Sequence, residues 1–341
     1  MKNALWIRLA FVAGIAAIAS PAVASPPVGT ISPVTGNLSK TNCINPEGIT
    51  VDLWGNLYTG SAALVPTTHI CKFDHNGAFV KSVDIPAGPG GIAPLLGVHF
   101  AAPHTIIALD FANTLKSPPA SFANNQGRVL SVNMETGVVT PIASGFAFPN
   151  GVAEDLLGRL YVTDSFHGTI TRMNQDGSNL TVWSADPLLA GNKSIPGLPI
   201  GANGIAFDTF FQYVYVSNTS NRRVVRFKVE QGWTAGAAEI FADGVTIDGA
   251  TGTALKGADG ITFDLFGNLY VAANAANEIQ VLSHSGQLTA RYSNGSLPMD
   301  TTATPIFWGN QLFFTNLSLQ DGGINSSVAV LQAPLPGLPP L

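Results

Sequence analysis

The chain has 341 residues, of which 11% are charged, and a formal net charge of −5. A nucleic-acid binder needs a basic face, and neither figure suits one. So little charge, with 36 glycines, suits a fold made of strands and tight turns, where soluble domains typically carry about 25% charged residues.

At the N-terminus, Lys2 and Arg8 precede an apolar run, Leu9 to Ala19, and then Ala22-Val23-Ala24. This has the form of a secretory signal with an A-x-A cleavage site, and it is too short for a membrane span. Cleavage after Ala24 is expected, which would place the mature protein in the periplasm or outside the cell. No other apolar run reaches membrane-span length. In an oxidising compartment, Cys43 and Cys71 are either a disulfide or two small buried thiols.

From Glu47 onward one phrase recurs. Glu47 to Ser61 reads EGITVDLWGNLYTGS, Leu96 to Asp110 LGVHFAAPHTIIALD, and Asn150 to Asp164 NGVAEDLLGRLYVTD. Asn203 to Asn218 (NGIAFDTFFQYVYVSN) is one residue longer, and Asp259 to Ala273 reads DGITFDLFGNLYVAA. A shorter sixth copy runs from Thr304 to Asn316, with Pro305 expected in the glycine's place. The period of roughly 50 residues is that of propeller blades. Within a copy, a short apolar strand, a turn such as Asp264-Leu265-Phe266-Gly267-Asn268 and a second strand form a hairpin. Third strands are expected at 69–73, 128–133, 169–174, 223–228 and 278–283, and fourth strands at 138–143 and 180–183. The pattern predicts an all-β fold, a six-bladed β-propeller with four antiparallel strands per blade around a central tunnel. Residues 25–332 form this single domain, and Ser327–Leu331 is expected to close it against residues near Gly29–Ser32. Residues 333–341 (APLPGLPPL) form a Pro-rich tail expected to be extended or disordered. Insertions at 112–126, 186–202 and 243–258 are candidates for a lid over the tunnel or for surface decoration.

The first position of the phrase carries the functional signal. It is Glu47, Asn150, Asn203 and Asp259 in four copies and Leu96 in another. In a propeller, equivalent positions of the innermost strands form a ring, so these four side chains should converge on the tunnel. Two carboxylates and two amide oxygens suit Ca²⁺, a hard cation that takes six to eight oxygens. The absence of Cys and His from the ring argues against zinc. Asn and Asp before Gly are also ordinary turn residues, but Glu47 is not. A second group, Ser61, Asp110, Asp164, Asn218, Asn274 and Asn316, ends the second strands near the same mouth. These are substrate-pocket candidates or strand-end caps. His99 and His104 are expected to be structural, and His167 is the acid–base candidate.

The ordered set Glu, Asn, Asn, Asp in the first, third, fourth and fifth copies resembles the senescence marker protein/gluconolactonase/luciferin-regenerating family of six-bladed propellers. Diisopropyl fluorophosphatase and the paraoxonases share that architecture. The resemblance implies that Glu47, Asn150, Asn203 and Asp259 bind a catalytic divalent cation, commonly Ca²⁺. It also implies hydrolysis of a lactone, ester or phosphoester, with Asp259 as base or nucleophile. Sugar-lactonase members place an arginine two residues before the third-blade Asn. Here that residue is Phe148, which implies a less polar small-molecule substrate and speaks against gluconolactone itself. A monomer is expected. The Gly-Asn-Leu-Tyr-Val hairpin also occurs in non-catalytic NHL-repeat propellers, so a partner- or ligand-binding propeller with a structural metal is the alternative. A strictosidine-synthase-like propeller would lack the full ring.

Overall fold

The structure, a computed structural model, describes residues 26–112, 125–192, 198–293 and 299–338. The expected signal segment, most of the 112–126 insertion and the last three residues lie outside these. Among the described residues the chain forms six four-stranded antiparallel sheets, which is the predicted propeller. The inner strands are Pro46–Val51, Leu95–Ala102, Pro149–Glu154, Ala202–Phe207, Ala258–Phe263 and Thr302–Trp308. They abut in cyclic order, the sixth returning to the first. Third strands at Thr67–Phe73, Gly127–Asn133, Thr169–Asn174, Arg223–Glu230 and Glu278–Leu282 lie where the repeat put them. The closing strand, Ser327–Gln332, pairs with Ile31–Pro33, Ile31 opposite Leu331.

The repeated Leu-Tyr has a packing reason. The tyrosine of one blade's second strand meets a phenylalanine four places into the next blade's phrase. Tyr161–Phe207, Tyr215–Phe263 and Tyr270–Phe307 are edge-on at 5.1, 4.9 and 5.0 Å between ring centroids. Such pairs add about 0.5–1.5 kcal/mol beyond their area burial. Tyr58 and Tyr161 also donate to Asp52 and Asp155, the aspartates whose carboxylates accept from the N–H groups of the hairpin turns. Between blades two and three the pair is missing. Ile107 and Glu154 stand in those places, and Glu154 bonds instead to His99 at 2.7 Å.

The glycine of the phrase is required by space. Each inner strand carries a β-bulge at the phrase, which brings the backbone against the neighbouring blade. A Cβ on Gly48, Gly97, Gly151 or Gly204 would lie 2.2, 2.3, 2.3 or 2.4 Å from the carbonyl oxygen of Leu96, Asn150, Asn203 or Asp259. These contacts string the first residues of successive phrases into a ring.

The sixth phrase departs from the expected alignment by one residue. Its bulge falls between Thr302 and Pro305, with Thr302 opposite Asn316. Ala303 therefore holds the ring position and Thr304, not Pro305, the glycine's place. A proline in that slot would have suggested a turn; the strand register decides otherwise.

Cys43 and Cys71 form a disulfide across 28 residues, a loop for which chain entropy gives a stabilisation of roughly 3–4 kcal/mol. The insertion before Asp259 folds into a short helix, Gly244–Asp248, held to the blades by Arg222 and Arg291 on Asp248. The tail is bonded to the end of the propeller away from the phrase starts. Pro336 accepts from Leu265, Gly337 donates to Gly309 and Leu338 to Phe263. Leu338 also lines the tunnel cavity, which holds about 150 Å³.

Candidate functional site

Glu47, Asn150, Asn203 and Asp259 share one depth: each is 4% exposed. Around the ring they stand with Leu96 between Glu47 and Asn150, and Ala303 between Asp259 and Glu47. Their backbones are clipped from behind by hydroxyls of the preceding blade. Thr163 Oγ1 donates to Asn203 O at 2.6 Å, Ser217 Oγ to Asp259 O at 2.5 Å and Thr315 Oγ1 to Glu47 O at 2.5 Å.

Their side chains are oriented by a second set of residues, each following the last residue of the blade's hairpin. Asn150 Nδ2 donates to Ser165 Oγ at 3.1 Å, and Asn203 Nδ2 to Thr219 Oγ1 at 2.9 Å. Each hydroxyl passes its own proton to the next blade, Ser165 to Ala202 O and Thr219 to Ala258 O. The Asn150 nitrogen is thus committed to the framework, the Asn203 nitrogen is shared between Thr219 and Asp259, and the amide oxygens are left as donors for a cation. In blade five, Asn274 Nδ2 donates to Asp259 Oδ2 at 2.9 Å. In blade one the equivalent residue is Ala62, which offers nothing to Glu47.

Two buried carboxylate oxygens consequently lack any hydrogen-bond partner: Glu47 Oε2 and Asp259 Oδ1. Burial pushes both carboxyls upward, Asp259 to about 7 despite the Asn274 and Asn203 amides that favour its charge. Glu47 is driven well above the carboxylate range by burial and then by the charge of Asp259. Two desolvated carboxylates that repel one another, with orphan oxygens, are costly unless a positive charge joins them. Their donor set fits a hard divalent cation. It is an unusual set in that no group of three or more His, Cys, Asp or Glu capable of holding a metal occurs among the described residues. Half of the donors here are amides.

Most of the strand-end residues read from the sequence as pocket candidates hold loops in place. Asp110 is paired with Arg128. Asn218 donates to Leu188 O and Ala190 O. Asn316 accepts from Asp300 N and donates to Asn325 O. Asp164 accepts from Ala147 N and Phe148 N and pairs with His167. Asn274 touches a ring side chain, that of Asp259. Ser165 and Thr219 were missed. Their signal was available: a hydrogen-bonding residue at the same place after each ring Asn or Asp, fifteen or sixteen residues on.

On its Leu96 side the ring is apolar. Leu96 packs with Phe111 and Phe148, flanked by Ala62 and Phe166. Phe148 lies between Phe111 at 4.7 Å and Phe166 at 4.5 Å. The mouth is therefore two-sided, with oxygens over most of the circle and an aromatic wall on the Leu96 side.

Residues 192–317, which include the Asn203 and Asp259 phrases, match the family model described as SMP-30/Gluconolactonase/LRE-like region. The match covers a little more than a third of the chain. The chain's fold is that of solved structures across nearly their whole length. A luciferin-regenerating enzyme superposes with a TM-score of 0.65 at 15% identity, covering 91% of this chain and 98% of that one. Regucalcin from Agrobacterium tumefaciens str. C58, described as a calcium-binding protein, gives 0.59 at 17% identity over 87% and 94%. A gluconolactonase from Xanthomonas campestris gives 0.59 at 16% over 91% and 99%. At these identities the likeness is one of fold. No curated protein matches the chain.

Proposed function

We propose that the protein is a secreted, calcium-dependent hydrolase of a lactone or related ester. The observation that carries this reading is the pair of buried, unpartnered oxygens on Glu47 and Asp259, set in one ring with two amides whose nitrogens are engaged by Ser165 and Thr219. The family includes gluconolactonases, and a structural neighbour is described as calcium-binding. When bound, a cation at this ring would polarise a carbonyl oxygen of the substrate. Glu47, Asn150, Asn203 and Asp259 would hold it, and Asp259 is the candidate base or nucleophile. Ser165, Thr219 and Asn274 fix the ring side chains. The aromatic wall of Phe111, Phe148 and Phe166 excludes water and receives the apolar part of the substrate, which favours an aryl or alkyl group over a sugar.

Calorimetric titration of calcium into metal-stripped protein, wild type beside Asp259→Asn, is the first test. Binding weakened at least tenfold in the variant, with EDTA-sensitive turnover on a panel of lactones and esters, is the expected outcome. A folded protein that binds no calcium would sink the reading. The deep burial of all four ring residues favours one alternative, a non-catalytic ligand-binding propeller with a structural cation. It predicts calcium-dependent melting without turnover on any substrate of the panel.

A further inference from the structure

One turn of blade three, Asp164 to Gly168, gathers three elements of the site. Ser165 holds the ring amide of Asn150. Phe166 stacks on Phe148. Between and beyond them, Asp164 grips His167: its Oδ2 lies 2.9 Å from His167 Nδ1. That carboxylate is itself immobile. It is 1% exposed and accepts from the backbone N–H groups of Ala147, Phe148, Phe166 and His167. The imidazole side chain, by contrast, is 41% exposed.

A buried carboxylate fixing one imidazole nitrogen selects the tautomer and aims the other nitrogen outward, the arrangement that prepares a histidine to exchange a proton. Among the described residues no other blade builds this at the same corner. At the equivalent corner Asp110 is neutralised by Arg128, Asn218 and Asn316 hold loop backbone, and Ser61 donates to Ile44 O. The buried histidine His99 is bonded to Glu154 further down the tunnel.

We propose that His167, oriented by Asp164, is the general base and acid of the hydrolysis. This rests on the hydrolase reading above. Nε2 takes a proton from water as the water oxygen bonds to the carbonyl carbon. The tetrahedral adduct then collapses: the bond to the leaving oxygen breaks, that oxygen keeps the electron pair, and it receives the proton from Nε2. The sum is addition of one water, giving an acid and an alcohol, or a hydroxy acid from a lactone. Asp259 is then free to remain a cation ligand. A carboxylate facing a cation is a weak base, so the assignment removes a conflict within the ring.

Among the described residues, Asp164 is bonded to His167, and Asp186, which precedes the segment packed beside Gly168, caps Leu188 N. The Asp164 bond holds the imidazole pKa above its ordinary value, burial opposing. A base must be deprotonated, so the rate should rise with pH through that raised value.

The test is a pH–rate profile at saturating calcium, on an aryl ester and a lactone that the wild type turns over. His167→Gln should lower kcat at least about 100-fold and lose the acid limb, while calcium affinity and melting temperature hold. His167→Ala should regain rate on addition of free imidazole. An unchanged limb in the glutamine variant, or a loss that imidazole does not restore, overturns the proposal. A wild type with no turnover overturns the hydrolase reading itself, and this inference with it.

Discussion

The ring amides are held by hydroxyls that stand behind them. An asparagine can present either end of its amide. Ser165 and Thr219 decide the matter by accepting from the nitrogens of Asn150 and Asn203. Removing either hydroxyl frees the amide to turn and leaves a carbonyl of the next blade without its donor. Ser165→Ala and Thr219→Ala should each weaken calcium binding by about 10- to 100-fold, as loss of outer-shell partners does elsewhere. Each should also cost roughly 0.5–1.5 kcal/mol of stability. Calorimetry and denaturant melts measure the two effects. Glu47, Asn150, Asn203 and Asp259 could be picked out of the sequence because they occupy one position of an alignable repeat. Ser165 and Thr219 were harder to see, because their side chains are chemically ordinary at a strand end and only their partners give them meaning.

At the level of the blade, the repeat is written in steric terms. Its tyrosine fills the interblade seam, its turn aspartate satisfies the turn, and its glycine lets the neighbouring carbonyl approach. Gly204→Ala should destabilise the protein by roughly 1–3 kcal/mol, since the new Cβ would sit 2.4 Å from Asp259 O and push directly on a ring residue. Calcium affinity should fall with it. Gly36→Ala, where nothing lies within 4 Å of the new atom, is the control and should be near neutral in the same melts. These constraints are why blade number, strand order and closing strand were legible beforehand. The sixth phrase slipped by one residue because Thr304 stands where the other copies have glycine, so spacing had no anchor there. The tail's bonds to Leu265, Gly309 and Phe263 had no signal at all: a proline-rich composition says nothing about which groove accepts it.

Across the whole molecule, the ring ties blades one, three, four and five to a single point. In the cation-free protein this is a liability. Glu47 and Asp259 hold their protons more tightly when folded than unfolded, where they titrate near about 4. The folded state therefore binds more protons across the interval from there to about 7, the value for Asp259. Stability must fall as pH rises through that window. EDTA-treated protein should melt at a lower temperature at about pH 8 than at about pH 5, and calcium should raise the melting temperature more at the higher pH. Asp259→Asn should flatten the dependence. Equal melting of the stripped protein at both values would remove the electrostatic account of the ring.

The pairing of Ile31 with Leu331 sets an order of events for a chain emerging from a ribosome or a membrane pore. The first strand of the domain is made early and waits with no partner until almost the last residues arrive. Until then the six sheets can form only an open arc, with a bare strand edge at each end ready to pair with another molecule. A chain cut short before Ser327 would keep Glu47, Asn150, Asn203 and Asp259 in sequence and still lack the strand that closes the circle. For this protein a few residues near the far end decide whether the molecule is a closed circle or a seed for aggregation.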